Sequence, residues 1–416
     1  MREHELTIEE LLPKTGWAKI KLGELGVFVK GKGIARSDVC EEGYPCLRYG
    51  EIYSTYETVT TGLVSKVSPS AADQACALEH GDIVFAASGE TAEEIGKVVT
   101  YTGKERAWVG GDTVILRGHG QNAVFLAHAL NSDPVVRQKA RLGKGQSVVH
   151  IHAPDLATVE VLLPPLSEQR KIAAILRIWD EALEKLSALR STKARQLGGL
   201  AQTTMGRGGV FPAHWQQKPL SKVCTPVKRK SSGGDHSVMT ISAKSGFLMQ
   251  SDKFARNMAG RSVERYTLLH EGEFAYNKGN SKTAPYGCVF RLDRDTALVP
   301  FVYYCFALKP GLDPEFYDHL FAAGALNYQL SRLINSGVRN DGLLNLYSDD
   351  FFSCRVPVPP IEEQKRIAQA LTTAKRELAL LDEEIAALTD QKRGLMQKLL
   401  TGEWRVEASD DEEAAA

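Results

Sequence analysis

The sequence holds no run of roughly 18 to 20 apolar residues, so nothing in it reads as a bilayer-spanning helix. Its first residues, Met1-Arg2-Glu3-His4-Glu5-Leu6, lack the basic and then apolar order of a secretory signal. Both absences lead to the expectation of a cytoplasmic protein with no membrane partner. Seven cysteines (Cys40, Cys46, Cys76, Cys224, Cys288, Cys305 and Cys354) are scattered without a CxxC pair or a histidine at zinc spacing. They read as reduced, mostly buried small hydrophobes, and no metal site is expected.

Catalytic signatures are equally scarce. Gly143-Lys144-Gly145-Gln146-Ser147 is too short for a phosphate-binding loop, which needs Gly-x-x-x-x-Gly-Lys-Ser/Thr. Pro164-Pro165 and Pro359-Pro360 lack the preceding Asn or Asp and the following aromatic of a loop that methylates DNA amino groups. Asp155 and Glu160 have no lysine at nuclease spacing and read as residues that cap and flank a strand. His150 and His152 alternate along a predicted strand and so share one face; without a third ligand they read as a groove-facing or hydrogen-bonded pair. Trp108, Trp179, Trp215 and Trp404 read as packing residues. The chain is therefore expected to be no enzyme and to hold no cofactor.

An excess of charge of either sign is also missing, since 51 basic side chains meet 51 acidic ones. The balance is uneven along the chain. Residues 1–166 carry 17 basic and 21 acidic side chains, whereas residues 206–355 carry 19 and 13. The second globular segment is thus basic enough for a polyanion partner.

What the sequence does contain is a repeat. Leu163-Pro164-Pro165-Leu166-Ser167-Glu168-Gln169-Arg170-Lys171-Ile172-Ala173 returns as Val358-Pro359-Pro360-Ile361-Glu362-Glu363-Gln364-Lys365-Arg366-Ile367-Ala368. Weaker echoes keep the same order: Trp17, Leu22 and Leu25 against Trp215, Leu220 and Val223; His80 to Phe85 against Glu271 to Tyr276; Val148 to Ile151 against Leu343 to Leu346; Asp155 against Asp350. The duplication spans domains as well as helices.

Within each copy, short apolar runs bounded by Gly, Pro, Asp and Ser predict strands at Asp82 to Ala87, Val98 to Tyr101, Thr113 to Leu116 and Gly287 to Leu292. Helices are predicted near Ala123 to Leu130 and Pro314 to Asn335. The fold class is α+β: two pseudo-repeated mixed domains separated by a pair of long antiparallel coiled-coil helices. Boundaries are expected at 1–166 and 206–360 for the domains, 167–205 and 361–402 for the helices, and 403–416 for an acidic, disordered tail.

The Pro-Pro pair ends a strand (Val159 to Leu163; Arg355 to Val358), and Ser167 or Glu362 opens a helix, since proline tolerates only a helix's first turn. From Ile367 the apolar positions step by four and three through Leu371, Ala374, Leu378, Leu381, Ile385 and Leu388, then Lys392, Leu395 and Leu399. The first helix follows the same register through Ile172, Leu176, Trp179, Leu183, Leu186, Leu197 and Leu200, interrupted at Arg190 and Lys193. Such seams are too narrow for an internal core and too long to leave in water, so the two helices are expected to pair antiparallel with the domains at opposite ends. Twenty-eight to 33 residues at about 1.5 Å each give a rod of roughly 40 to 50 Å, somewhat more than one turn of DNA.

The tandem order of domain, Pro-Pro-Leu-Ser-Glu-Gln-Arg-Lys-Ile-Ala helix, domain, Pro-Pro-Ile-Glu-Glu-Gln-Lys-Arg-Ile-Ala helix resembles the specificity subunit of type I restriction-modification systems. Gly81-Asp82-Ile83-Val84-Phe85-Ala86-Ala87-Ser88-Gly89 also resembles that family's glycine-aspartate strand and following loop; the second copy departs from it at Asn277-Lys278-Gly279. The resemblance implies a non-catalytic DNA specificity subunit, each domain reading one half of a bipartite, asymmetric site on double-stranded DNA. It further implies that the helices set the spacing and dock two modification (methyltransferase) subunits, with translocating restriction subunits completing the complex. S-adenosylmethionine, ATP and Mg would then sit on those partners. A specificity chain for a fused nuclease-methyltransferase, and a coiled-coil adaptor that binds no DNA, remain alternatives.

Base readout calls for Arg, Lys, Asn, Gln or Ser on groove-entering loops, with further donors for phosphate. In the first domain the candidates are Lys30, Lys32, Arg36, Arg48, Tyr49, Ser88, Gly89, Thr91, Lys144 and Gln146. In the second they are Lys228, Arg229, Lys244, Tyr276, Asn277, Lys278, Asn280, Lys282, Arg339 and Asn340, densest from Asn277 to Lys282.

Overall fold

The computed structural model describes residues 8, 9, 11, 16–206, 211–231, 233, 235–253, 264–279, 284–334 and 343–406. The chain divides into two compact units, Met1–Lys185 with Ile385–Ala416, and Leu186–Glu384. The fold is α+β, and each unit combines one mixed globular part with portions of two long helices, Leu166–Thr204 and Ile361–Leu400.

In the first unit, Ala18–Lys21 pairs antiparallel with Glu160–Leu163, the strand that leads into the first long helix. A five-stranded sheet follows the spatial order Val27–Lys30, Thr113–Arg117, Ile83–Ala86, Val98–Tyr101, Val59–Thr60. Ile83–Ala86 and Val98–Tyr101 are buried at every position, and alternation explains why. Ile83 and Phe85 enter a core with Phe125 and Leu126 of the helix Ala123–Leu130, whereas Val84 and Ala86 enter another with Leu47, Ile52, Ala107 and Val109. Both faces are covered, so the strand reads as a continuous apolar run. A second five-stranded sheet, ordered Val39–Cys40, Ser65–Val67, Tyr44–Leu47, Ala107–Val109, Cys76–Leu78, supplies the second cover.

The second unit repeats the plan. Gln216–Pro219 pairs with Arg355–Val358, and a four-stranded sheet runs Cys224–Pro226, Tyr304–Leu308, Phe274–Asn277, Cys288–Arg291. Phe274 and Tyr276 pack toward Phe316 and Leu320, while Ala275 packs toward Met239, Leu269 and Cys305. The edge-on contact of Trp17 with Phe125 at 6.3 Å has its counterpart in Trp215 and Phe316 at 6.0 Å.

Two expectations need correction. The stretch from Pro314 is two helices, Pro314–Ala322 and Asn327–Leu333, because Gly324 adopts a left-handed φ of 76° between them and ends the first; Asn335 lies outside the described residues. Trp404 is 50% exposed, with the Lys398 ammonium 4.8 Å from its ring centroid, so it packs little. The cysteines match their reading: Cys46, Cys224, Cys305 and Cys354 are buried, and none is bridged among the described residues.

The helices start at Leu166 and Ile361, directly after the prolines, and run 39 and 40 residues. That is roughly 60 Å each at 1.5 Å per residue, longer than the pairing rod read from the seam alone. Every proposed seam position, from Ile172, Leu176, Trp179, Leu183, Leu186 and Leu197 to Ile367, Leu371, Leu378, Leu381, Ile385, Leu388 and Leu395, is buried or half-buried. The two helices are antiparallel in both units. In the first, Arg405 just beyond the second helix clasps Glu168 at 2.9 Å and Lys392 holds Asp180; in the second, Arg190 meets Asp382 at 2.8 Å and Lys193 meets Glu377 at 2.7 Å. Arg190 and Lys193, the breaks in the apolar seam, thus become ionic crosslinks. Both of these pairs are exposed and screened by solvent, so the apolar seam supplies most of the pairing.

How each globular part joins its helix is the most regular feature of the repeat. Only Pro164-Pro165 separates the strand Glu160–Leu163 from the first helix, and only Pro359-Pro360 separates Arg355–Val358 from the second. Each proline fixes one backbone torsion. The glutamine that follows is 1% exposed in both copies. Gln169 Nε2 donates to the Pro164 carbonyl at 2.9 Å, and its Oε1 accepts the main-chain N–H of Asn122 at 3.1 Å. Gln364 makes the same bonds to the Pro359 carbonyl at 2.8 Å and from the Asp313 N–H at 2.9 Å. Asn122 and Asp313 in turn cap the helices Ala123–Leu130 and Pro314–Ala322 through Phe125 and Phe316.

Candidate nucleic-acid interface

The site begins with the glycine-aspartate turn. Gly81 and Gly272 take left-handed φ values of 85° and 80°, and the acid that follows each is engaged locally. Asp82 accepts the Glu79 N–H at 2.8 Å and both Nε and Nη2 of Arg117. Glu273 accepts the His270 N–H at 2.8 Å and Arg229 Nη2 at 2.6 Å. These acids fix the start of a buried strand whose far end delivers the loop that carries candidate reading residues.

That loop pairs with a distant segment in both copies. In the first unit Ser88–Gly89 forms a short antiparallel ladder with Val149–His150, and Lys144 bridges back to His150. Ser88 Oγ lies 2.9 Å from His150 Nδ1, and the rings of His150 and His152 stack with centroids 6.5 Å apart. The strand ends at His150; His152 precedes the short helix Ala153–Ala157, yet the two rings share a face as expected. Lys144 Nζ donates to Asp155 at 2.9 Å, and this bond holds the Asp155 carboxyl below its usual range. Gly145 is required in this turn, because a Cβ there would fall 1.9 Å from the Val148 carbonyl oxygen. Asp155 also accepts the His152 N–H at 3.3 Å, and Glu160 opens its strand, so both acids serve structure. In the second unit the equivalent bridge joins Gly279 to Leu343, with the Leu344 N–H donating to the Lys278 carbonyl at 2.8 Å.

The fold thus gathers candidates far apart in sequence: Ser88, Gly89 and Lys144 in one unit, with Thr91 and Gln146 exposed nearby in the chain. A second cluster lines a cleft of about 860 Å³ that brings Arg36, Arg48 and Tyr49 together with Gly33, Gly110 and Gly111. Its rim is strained: Gly33 has a φ of 68°, and Ile34, a β-branched residue, has a φ of 58°. Arg36 and the neighbouring Lys30 and Lys32 are exposed, while Arg48 is half committed to Glu51, whose carboxylate also receives Ser65.

In the second unit Lys228 and Lys244 are exposed, and Arg229 is partly withdrawn into its pair with Glu273. Lys278 lies 5.2 Å above the Tyr304 ring. Asn277 spends its amide on the fold, donating to the Ile241 carbonyl at 3.1 Å and accepting the Gly279 N–H at 2.9 Å. Tyr276 is overturned as a contact residue. It points inward from its strand, is fully buried, and donates its hydroxyl to the Tyr286 carbonyl at 2.7 Å. Asn280, Lys282, Arg339 and Asn340 lie outside the described residues.

Sequence reasoning passed over the hinge glutamines, Gln169 and Gln364; their identity in both copies was the available signal. It also underweighted His150, whose partner Ser88 lies 62 positions away. Among the described residues no group of three His, Cys, Asp or Glu side chains is placed to hold a metal, and no helix is long and apolar enough to cross a membrane.

Residues 14–190 match the family model for the type I restriction modification DNA specificity domain. That segment is similar to the family's domain. The match ends inside the first long helix, so it takes in the first globular part, its Pro-Pro hinge and Gln169. Over nearly its whole length the chain is also similar to type I specificity subunits. It is 22% identical to the MjaX specificity subunit of Methanocaldococcus jannaschii, covering 94% of both chains. It is 21% identical to the MjaVIII specificity subunit of the same organism, covering 94% of this chain and 93% of that protein. Among solved structures, the type I restriction-modification S subunit of M. genitalium shares the fold at a TM-score of 0.57 and 15% identity, over 93% of this chain and 96% of that one. A chain from a study of complex assembly and conformational transition in a type I R-M system gives 0.52 at 17% identity, over 92% and 97%. The repeat and the two long helices thus belong to a fold shared with the solved S subunit of M. genitalium.

Proposed function

We propose that each globular part reads one half of a bipartite, asymmetric site on double-stranded DNA, and that the antiparallel helices set the separation of the halves. The observation that carries this reading is the duplicated loop pairing, Ser88–Gly89 with Val149–His150 and Gly279 with Leu343, built behind the same glycine-acid turn on two parts of unlike sequence. Two equivalent presentations with different side chains fit two unlike half-sites. The exposed cations Lys30, Lys32, Arg36, Lys228 and Lys244 supply phosphate contacts.

The chain itself performs no chemistry in this reading. Two methyltransferase subunits dock on the helices and carry S-adenosylmethionine, and restriction subunits bring ATP and Mg. Ile178, Leu189 and Leu380, which are 65%, 45% and 54% exposed and lie off the pairing seam, favour helix docking. Mapping DNA methylation in cells that produce the partner subunits, with and without this chain, tests the proposal. A split methylated motif that appears only with the chain supports it, and an unchanged methylation pattern refutes it.

A further inference from the structure

We propose that Gln169 and Gln364 are positioning residues for DNA spacing: each fixes the angle between its reading domain and the long helix, and so decides which separation of half-sites is accepted. The inference rests on the bipartite reading above.

Three features converge on each hinge. Two prolines leave the connection little torsional freedom. The glutamine amide then ties the hinge carbonyl, Pro164 or Pro359, to the capped start of a core helix, at Asn122 or Asp313. Finally, both amides are almost wholly buried, where an unmade hydrogen bond is costly and a made one holds its geometry. In the first copy Gln169 makes one more bond, to Gln121 Oε1 at 2.8 Å. An apolar residue of equal size would fill the same space without specifying an angle.

Small angles matter at this scale. A domain of about 150 residues has a radius of gyration on the order of 15 Å, and successive base pairs lie about 3.4 Å apart along the duplex. A tilt of roughly 13° at the hinge would therefore carry a reading loop past about one base pair.

The test uses the full complex in cells, with Gln169→Leu, Gln364→Leu, Gln169→Glu and Gln364→Glu, and reads the methylated motif together with the melting of each purified complex. The wild-type chain is expected to direct methylation at one spacing. Each leucine variant should keep both half-site sequences yet methylate sites one base pair longer or shorter at least tenfold more than wild type does. The glutamate variants, which keep the acceptor oxygen for Asn122 or Asp313 and lose the bond to the proline carbonyl, should relax the spacing less. Methylation that stays confined to the original spacing, at whatever level, overturns the inference. So does failure of all four variants to accumulate as folded protein, which would make the amides supports of the fold alone. Absence of any split motif with the wild-type chain refutes the bipartite reading instead.

Discussion

Gln364 and Asp313 are joined at 2.9 Å, the side-chain oxygen of one receiving the main-chain N–H of the other, and the bond ties the start of a long helix to the start of a core helix. Gln364→Ala would strand that N–H and the Pro359 carbonyl inside the protein. The expected cost is about 1 to 3 kcal/mol in the second unit. Urea unfolding followed by tryptophan fluorescence, compared with wild type, checks it.

Asp180 lies under two opposing influences. Burial favours its neutral form, but His128 and Lys392 outweigh burial and hold the carboxyl below its usual range. An acid with a depressed folded pKa contributes stability that is present above the ordinary carboxylate range and is lost as pH falls through the folded value. Asp180→Asn should therefore weaken the protein at neutral pH and flatten its loss of stability on acidification. Melting temperatures from pH 6 down to pH 2.5 give both readings.

Lys139 is wholly buried on the helix Asp133–Leu142, where its ammonium donates to the Gly96 carbonyl at 2.6 Å. Burial pulls its pKa down to about 7. A base depressed in this way contributes least when charged, so stability falls as pH drops from the ordinary lysine range through about 7. Lys139→Met fills similar space without the charge and should raise stability at pH 7 by about 1 to 4 kcal/mol. The gain should shrink toward pH 10, as measured by denaturation at both values.

Lys32 and Arg36 stand exposed beside the first unit's cleft. If they answer phosphates, replacing either with alanine should weaken binding to target and non-target duplex alike. Each change should also lower the slope of log affinity against log salt by about 1. Titrations of the assembled complex at several salt concentrations decide this.

Much of the architecture was legible because it is periodic. The four-and-three step from Ile172 and from Ile367 has no other low-cost use than a helix seam, and the Pro-Pro-x-x-Glu-Gln signature marked both hinges. Strands such as Val98–Tyr101 were legible as apolar runs because both faces are covered. The break at Gly324 was missed because flanking apolar spacing continues through it, and a single glycine is ambiguous inside a helical pattern. Tyr276 was misplaced for a different reason: on a strand, the direction of a side chain depends on register, which the turn sets and the local sequence does not. Ser88 and His150 could not be paired from sequence, since their contact exists only after the sheet has formed.

The central claim is that each unit reads its own half of one site. Its most direct test is the methylated motif obtained with two sets of alanine substitutions, Tyr49 with Thr91 in the first unit and Lys278 alone in the second. The account predicts that the first set degrades sequence preference in one half only and the second set in the other half only. If either set alters both halves, or if neither changes the motif while methylation persists, the assignment of one half-site to each unit is contradicted.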